Sequence, residues 1–219
     1  GQGHNEEKQR LAGDIQNVMA LEVPLPSPPH NVPLAGFSPV RHWNGTGKGL
    51  SASILKIELR TASAIVIVAV DTLFLDEEFQ VQLESRLSSN ISLVLMASHT
   101  HFAPALARSV DALGGVDDGY YEAVLDCIAN AIQSEVASRL VAMECFTTST
   151  DLTINRRREG FIVDYGKLRR GQIDFRKGIS MAEDPTGMVD PNLRCIAFSD
   201  SGGSPVACIW SLAAHAVFE

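Results

Sequence analysis

The sequence predicts an α/β fold with a mixed β-sheet core, arranged as one sheet or two packed sheets and flanked by helices. Residues 64–70 and 92–98 are short apolar runs, and the first consists almost entirely of β-branched and small side chains, which favours buried strands. Helical spacing of apolar residues in 75–87 and 120–140 indicates the flanking helices. With 219 residues, 45% hydrophobic and 20% charged, the chain can bury the core of a single domain over 1–219.

The first part of the chain predicts a strand, a long loop and a hairpin. Residues 17–24 alternate well enough for the first strand, and a proline cluster over 24–29 ends it. The loop over 33–49 is rich in glycine and could approach a ligand, although turn chemistry alone explains such glycines more often. Residues 50–60 and 64–70 are separated by three residues, so they predict a hairpin whose second strand is deeply buried.

Two helices are predicted on either side of the strand at 92–98. Residues 75–87 carry acidic side chains in the first turn, where they interact favourably with the helix dipole. The segment 120–140 repeats apolar residues every four positions, and Asp117 or Asp118 can cap it.

The last part of the chain predicts three more strands. Residues 143–150 form one candidate, and 193–199 with 205–214 form a final hairpin. The intervening segment 159–192 is long, polar and contains several glycines, which is typical of a long functional loop rather than of a domain linker.

Composition limits the classes of partner. The net charge of −8 and the pI near 5.2 argue against nucleic acid or an anionic membrane surface as the main partner. No apolar stretch is long enough for a transmembrane helix, and the start, GQGHNEEKQR, lacks the apolar core of a signal peptide. The four cysteines show no C-x-x-C spacing, which favours buried free thiols over metal ligands or disulfides. Compartment and oligomeric state stay open.

A histidine pair, His99 and His101, follows the apolar run 92–98. In extended backbone, side chains two residues apart point to the same side, so both rings can address one point beyond the carboxyl end of the strand. Active sites of α/β sheets gather at that edge, and neutral imidazole is a common zinc ligand. The alternative is a pair of hydrogen-bonded loop histidines.

Two further residues end apolar strands in the same way. Asp71 follows residues 64–70, where its carboxylate either supports the histidines or caps the next helix. His215 follows residues 205–214; alone it is more typical of a core or edge histidine, but three histidines at strand ends could converge on one side of a sheet.

Arg156 lies in a run of three arginines directly after Asn155. Such a run is usually a solvated surface, whereas an arginine held by a neighbouring asparagine can be a fixed cation beside developing negative charge. Both interpretations remain open.

Several motifs, taken in order, resemble the N-terminal catalytic region of the neutral/alkaline non-lysosomal ceramidase family. They are NVMALEVPLPSPP, PLAGF, the strand end AVDTL, ASHTHFAP, TINRR, DPNLRCIAF and WSLAAH. Each motif is weak by itself, and the set in this order is specific.

The resemblance implies a zinc-dependent amidase that cleaves the N-acyl bond of ceramide, a sphingolipid. His99 resembles the first zinc ligand of the family and His215 the second, while His101 resembles a substrate-facing histidine. Arg156, which follows Asn155, resembles the active-site arginine. From their positions in the sequence, Asp71 and Asn155 are candidates for residues that support the site from behind. The other family ligands, a glutamate and a tyrosine, lie far downstream of Glu219, so we expect this sequence to lack the C-terminal part of the family architecture and to hold an incomplete site.

The sequence departs from the family pattern next to the histidines. The family usually continues H-T-H with Ser-Gly-Pro-Gly, whereas this chain has Phe102-Ala-Pro-Ala105, and the run after His215 is Ala216-Val-Phe218. Two alternatives therefore stay open: a metal-dependent hydrolase of another amide or ester, and an inactive metal-binding fragment. A metallo-β-lactamase or amidohydrolase fits less well, because H-T-H is neither followed by Asp-His nor paired with the context of a carboxylated lysine. A small-molecule or lipid amide is the expected substrate, and the resemblance would allow secretion.

Overall fold

The computed structural model describes residues 14–45, 49–110, 112, 114–134, 142–163 and 165–214, without the side chains of Ile162 and Phe175. The elements, in chain order, are β1 (Ile15–Pro24), β2 (Ser51–Leu59), β3 (Ala64–Val70), α1 (Glu77–Glu84), β4 (Ile91–Ala97), α2 (Asp118–Gln133), β5 (Ala142–Ser149), β6 (Arg158–Val163), α3 (Tyr165–Leu168), β7 (Phe175–Ser180), β8 (Asn192–Ser199) and β9 (Pro205–Ser211). The fold is mixed β-sheet with helices, which confirms the predicted class.

The chain divides into two compact units. The first contains the described residues up to Met143 together with Ala197–Ala207, and the second contains Glu144–Ile196 and the described residues from Cys208. The single domain expected over 1–219 stays a prediction.

The first unit is built on a four-stranded sheet in the order β1-β2-β3-β4. β1 to β3 are antiparallel neighbours, and β4 runs parallel to β3 with α1 in the crossover. The β2–β3 hairpin confirms the predicted one. Side chains of β3 alternate between buried and half-buried, and Val66, Val68 and Val70 point into the core.

The core of the first unit is completed by the two helices. α1 begins at the cap Asp76, whose Oδ1 accepts a hydrogen bond from the Phe79 backbone amide, and it buries Phe79 and Leu83. α2 begins at the cap Asp117, as the sequence allowed, and its buried residues recur at helical spacing. Their apolar faces join the β1–β3 core in one cluster.

The other described strands form two smaller sheets. β5, β8 and β9 make a three-stranded sheet in that order, which pairs the two arms of the predicted final hairpin. β6 and β7 make an antiparallel two-stranded sheet. None of the helices within the described ranges is both long and apolar enough to cross a membrane.

Some sequence predictions need correction. The first helix is shorter than 75–87, because Asp76 caps its N-terminus and Ser85 its C-terminus. Within 159–192 the chain forms β6, α3 and β7, so this segment is more regular than predicted. None of the four cysteines is in a disulfide, but of these only Cys195 is buried, and Cys208 is exposed.

Candidate active site

The histidine pair lies just past the carboxyl end of β4. The strand ends at Ala97, and His99 has a φ of 63°, a left-handed conformation that is uncommon outside glycine. The ring centroids of His99 and His101 are 5.7 Å apart, with the ring planes at 80°. The rings are therefore close, as predicted, although the extended backbone assumed for their convergence is absent at His99.

The ring of His99 is oriented by a backbone carbonyl. Its Nδ1 lies 3.0 Å from the carbonyl oxygen of Leu73 in the segment between β3 and α1. Because a carbonyl oxygen can only accept, this hydrogen bond requires a proton on Nδ1, and the lone pair of the ring is then on Nε2. Metal-binding histidines commonly have this arrangement, in which the second ring nitrogen donates to a carbonyl and fixes the tautomer.

His101 is half-buried against the loop before β2. Its ring makes an edge contact with Phe37, at a centroid distance of 5.7 Å. At Gly36, whose φ is 75°, an added Cβ would lie 2.9 Å from His101 Nδ1 and 2.6 Å from Leu73 Cδ2. Glycine is thus favoured at this position both by the backbone conformation and by the nearby imidazole.

An aromatic surface adjoins the histidines. Phe37 also meets the ring of Phe102 edge-on at 5.7 Å, and the guanidinium of Arg41 lies 4.6 Å from the Phe37 ring centroid. The backbone amide of Ala35 donates to the carbonyl of Ala103, which ties this loop to the segment after the histidines. The residues that depart from the family pattern thus help to form an apolar wall beside His101.

Asp71 follows β3 and interacts with the start of β2. Its Oδ2 accepts hydrogen bonds from the backbone amide of Ser51 at 2.9 Å and from the Ser51 hydroxyl at 3.2 Å. The helix cap that the sequence allowed for Asp71 is instead Asp76. Support of the histidines by Asp71 stays a prediction.

The carboxylate of Asp71 also affects a buried phenol. Burial raises the pKa of Tyr120, and the charge of Asp71 raises it further. The Tyr120 hydroxyl has no hydrogen-bond partner within the described part of the chain.

Asn155 holds the chain at Arg156 within the second unit. Its Oδ1 accepts from the backbone amide of Arg157 at 2.8 Å, and its Nδ2 donates to the carbonyl of Met188 at 2.8 Å. An added Cβ at Gly187 would lie 2.5 Å from the Asn155 side chain, so a glycine is needed where the two segments meet. The half-buried Arg156 is thus carried on a fixed backbone.

The described residues do not contain a complete metal site. His215 lies outside them, so its predicted approach to His99 stays a prediction. Among the described histidine, cysteine, aspartate and glutamate side chains, no three are grouped closely enough to hold a metal ion. The fit to zinc therefore rests on the donor chemistry of His99, whose hydrogen bond to Leu73 prepares Nε2 as a ligand atom.

Sequence reasoning missed the residues that shape the histidine site from neighbouring segments. These are Leu73, which acts through its carbonyl oxygen, and Gly36 and Phe37 of the PLAGF loop. The glycine-rich loop was a usable signal, since a glycine can mark close approach to another group. The role of the Leu73 carbonyl could not be predicted, because every residue has a backbone carbonyl whatever its side chain.

Solved structures of ceramidases share this fold. The crystal structure of neutral ceramidase from Pseudomonas aeruginosa matches with a TM-score of 0.65 and 16% identity, over 91% of this chain and 32% of that one. A ceramidase complexed with C2 matches with a TM-score of 0.65 and 15% identity, over 91% of this chain and 31% of that one. The chain thus spans about a third of the length of these structures. No family model matches the sequence, and neither does any curated protein.

The fold of the chain is therefore ceramidase-like. At 15% and 16% identity the likeness concerns the arrangement of the backbone. The chemistry of the chain depends on its side chains.

Proposed function

We propose that this chain is the N-terminal part of a zinc-dependent, ceramidase-like amidohydrolase that cleaves an N-acyl bond of the ceramide type. The observation that carries the proposal is the hydrogen bond from His99 Nδ1 to the carbonyl of Leu73. It prepares Nε2 for a metal at the carboxyl end of a strand in a ceramidase-like fold. The family motifs around both histidines add to this support.

Zinc would be held by His99 and His215, together with ligands from a longer polypeptide. When bound, zinc supplies an activated water molecule and polarises the scissile carbonyl. The Leu73 carbonyl keeps the His99 ring in the orientation and tautomer that ligation needs. Two imidazoles are fewer than the three protein ligands usual at catalytic zinc, so we expect the 219-residue chain alone to bind zinc weakly and to hydrolyse no ceramide.

His101 and Arg156 would act on the substrate. His101, held against Phe37, is proposed to give a proton to the leaving amine. Arg156, carried next to the fixed Asn155, is proposed to stabilise negative charge on the carbonyl oxygen. The apolar wall of Phe37 and Phe102 suits an acyl chain or another apolar group of the substrate.

A second candidate is a hydrolase of a different amide or ester. The observation that favours it is Phe102, 39% exposed beside His101, where the family resemblance expects serine. A bulky ring at this position changes the shape of the surface that faces a substrate. A panel of N-acylsphingosines, other fatty amides and fatty esters separates the two candidates by which member is hydrolysed fastest.

The test uses this chain, its variants and any longer natural product that contains it. Zinc-dependent hydrolysis of N-acylsphingosine is expected in the longer product and is lost in His99→Ala. Arg156→Ala should lower kcat by about 100-fold, in line with loss of one charge-stabilising donor, while the matched variant Arg157→Ala should stay close to wild type. Robust hydrolysis by the 219-residue chain, abolished by His99→Ala, would mean that the missing ligands are misassigned. No hydrolysis of any panel member by the longer product would reject the proposal.

A further inference from the structure

Three of the four cysteines lie in the three-stranded sheet. Cys145 is on β5, Cys195 on β8 and Cys208 on β9, and β8 lies between the other two strands. The Sγ atoms of Cys195 and Cys208 are 3.0 Å apart. The metal proposal uses none of these residues.

The two sulfurs are about 1 Å from bonding distance, given an S–S bond of about 2.05 Å. In the reduced protein one thiol donates a hydrogen bond to the other. This hydrogen bond, together with burial, raises the pKa of the Cys195 thiol to about 11. The reduced pair is thus a neutral contact that an oxidant can convert to a covalent one.

The two thiols differ in their exposure to solvent. Cys208 is exposed, whereas Cys195 is only 8% exposed. A small oxidant can reach the first thiol, and the second is close enough to react next. Such an exposed cysteine with a neighbouring resolving cysteine is the usual arrangement of a redox-active pair.

We propose that Cys195 and Cys208 are a dithiol modification site that forms an intramolecular disulfide with low-molecular-weight disulfides of the glutathione type. The Cys208 thiolate attacks the small disulfide, forms a mixed disulfide and releases one small thiolate. The Cys195 thiolate then attacks the Cys208 sulfur, forms the Cys195–Cys208 bond and releases the second small thiolate. The two protons lost by the protein thiols pass to the released thiolates, so the small disulfide is reduced and the protein pair is oxidised.

Of the other two cysteines, one fits this role less well and one is a competitor. Cys127 lies on α2, where burial raises the pKa of its thiol and its Sγ approaches the carbonyl of Pro24. Cys145 is in the same sheet and is the competitor for Cys195. A three-ligand metal site is disfavoured, because no such group occurs among the described side chains. The disulfide is independent of the zinc proposal and can be tested without any assay of activity.

The experiment oxidises the reduced, folded 219-residue chain with excess glutathione disulfide. Free thiols should fall from four to two per chain and return after treatment with dithiothreitol. Chymotryptic cleavage at Phe198 separates the two cysteines, so mass spectrometry should find their peptides joined only before reduction. The matched variant Cys145→Ser should form the same bond, and Cys208→Ser should lose it and keep Cys195 free.

Three results would overturn the proposal. The first is a glutathione adduct that persists on Cys208 while Cys195 stays reduced. The second is a bond from either residue to Cys145. The third is four free thiols in the oxidised folded chain when the same treatment oxidises the urea-unfolded chain. Each of these results is read from the peptides and free thiols of the wild-type chain. A variant that fails to fold therefore does not affect the outcome of the test.

Discussion

The first and second units differ in how many of their apolar side chains they bury. In the first unit, α1, α2 and the β1–β4 sheet bury a continuous cluster that includes Phe79 and Tyr121. Among the described residues of the second unit, only Cys195 and Thr153 are buried. The second unit instead exposes many large apolar side chains: Phe146, Leu152, Ile154, Phe161, Tyr165, Leu168, Ile173, Ile179, Met181, Met188, Val189 and Trp210.

This difference indicates where the stability of the chain resides. Burial of apolar surface is the main stabilising contribution in folding, and large exposed apolar patches are typical of interaction surfaces. A two-stranded sheet such as β6–β7 is also marginal in water without a surface to pack on. We therefore expect the first unit to determine the unfolding transition and the second unit to tolerate truncation of its apolar side chains.

The largest effect is expected from Phe79→Ala. Phe79 is fully buried and packs edge-on against Tyr121, with ring centroids 5.4 Å apart. Its truncation should lower the free energy of unfolding by about 3–5 kcal/mol, because it leaves a cavity in the core. The matched variant Phe161→Ala removes a ring that is 72% exposed and should cost less than about 0.5 kcal/mol. Urea unfolding measures both, and equal losses would contradict the contrast between the units.

A glycine pair gives the next largest effect. Gly36 and Gly171 have nearly the same φ, 75° and 77°, but an added Cβ at Gly36 meets Leu73 and His101, whereas at Gly171 it meets no atom within 4 Å. Gly171→Ala should cost about 1–2 kcal/mol from backbone strain alone. Gly36→Ala should cost about 2–4 kcal/mol, because crowding adds to the strain.

The same variants also test the contacts of the histidine site. The imidazole signals of His101 in NMR spectra should move in Gly36→Ala and stay in place in Gly171→Ala. If both variants lose the same stability and leave His101 unchanged, the close approach of Gly36 to the imidazole is wrong.

The smallest effect concerns the cap of α1. Burial disfavours the charged carboxylate of Asp76, but hydrogen bonds from the backbone amides of Phe79 and Ser109 outweigh it and lower the pKa. A lowered pKa stabilises the folded state above the unfolded value of about 3.9, and this contribution is lost as the pH falls through the folded pKa. Asp76→Ala should cost about 1 kcal/mol at neutral pH and weaken the loss of stability below about pH 4.

Asp76→Asn is the control for this prediction. Asparagine keeps a capping oxygen but has no acid titration, so most of the neutral-pH stability should return while the acid dependence stays weakened. In the second unit, the hydrogen bond from Lys167 lowers the pKa of Asp174, whose side chain is 42% exposed. Asp174→Asn should change the loss of stability at low pH less than Asp76→Asn does, because water and salt screen the solvent-accessible pair of Lys167 and Asp174. A larger change at Asp174 would reverse the comparison.

The sequence predicts the first unit better than the second for a physical reason. β3 has the predicted bounds of 64–70, because an uninterrupted β-branched run has few alternatives to a buried strand. The β6–β7 sheet was missed, since its strands carry a glycine pair, Gly160 opposite Gly178, and expose much of their apolar surface. Strands that bury few side chains show little hydrophobic periodicity, so they are hard to predict from the sequence.

The candidate site shows the same limit. Position along the chain predicted that His99 and His101 follow a strand, and the structure brings their rings together. The left-handed backbone at His99 and the contact with the Leu73 carbonyl depend on tertiary packing. The proximity of Cys195 and Cys208, thirteen residues apart, likewise follows from strand pairing rather than from a recognisable spacing.

The most direct test of the zinc proposal is the tautomer of His99 in the metal-free chain. Long-range proton–nitrogen NMR spectra at alkaline pH, where imidazole is neutral, show which ring nitrogen carries the proton. His99→Gln assigns the signals, and the exposed His30 serves as a reference ring. We predict the proton on Nδ1, where the Leu73 carbonyl accepts it, and the lone pair on Nε2. A proton on Nε2 would leave that atom unable to bind zinc and would contradict the account.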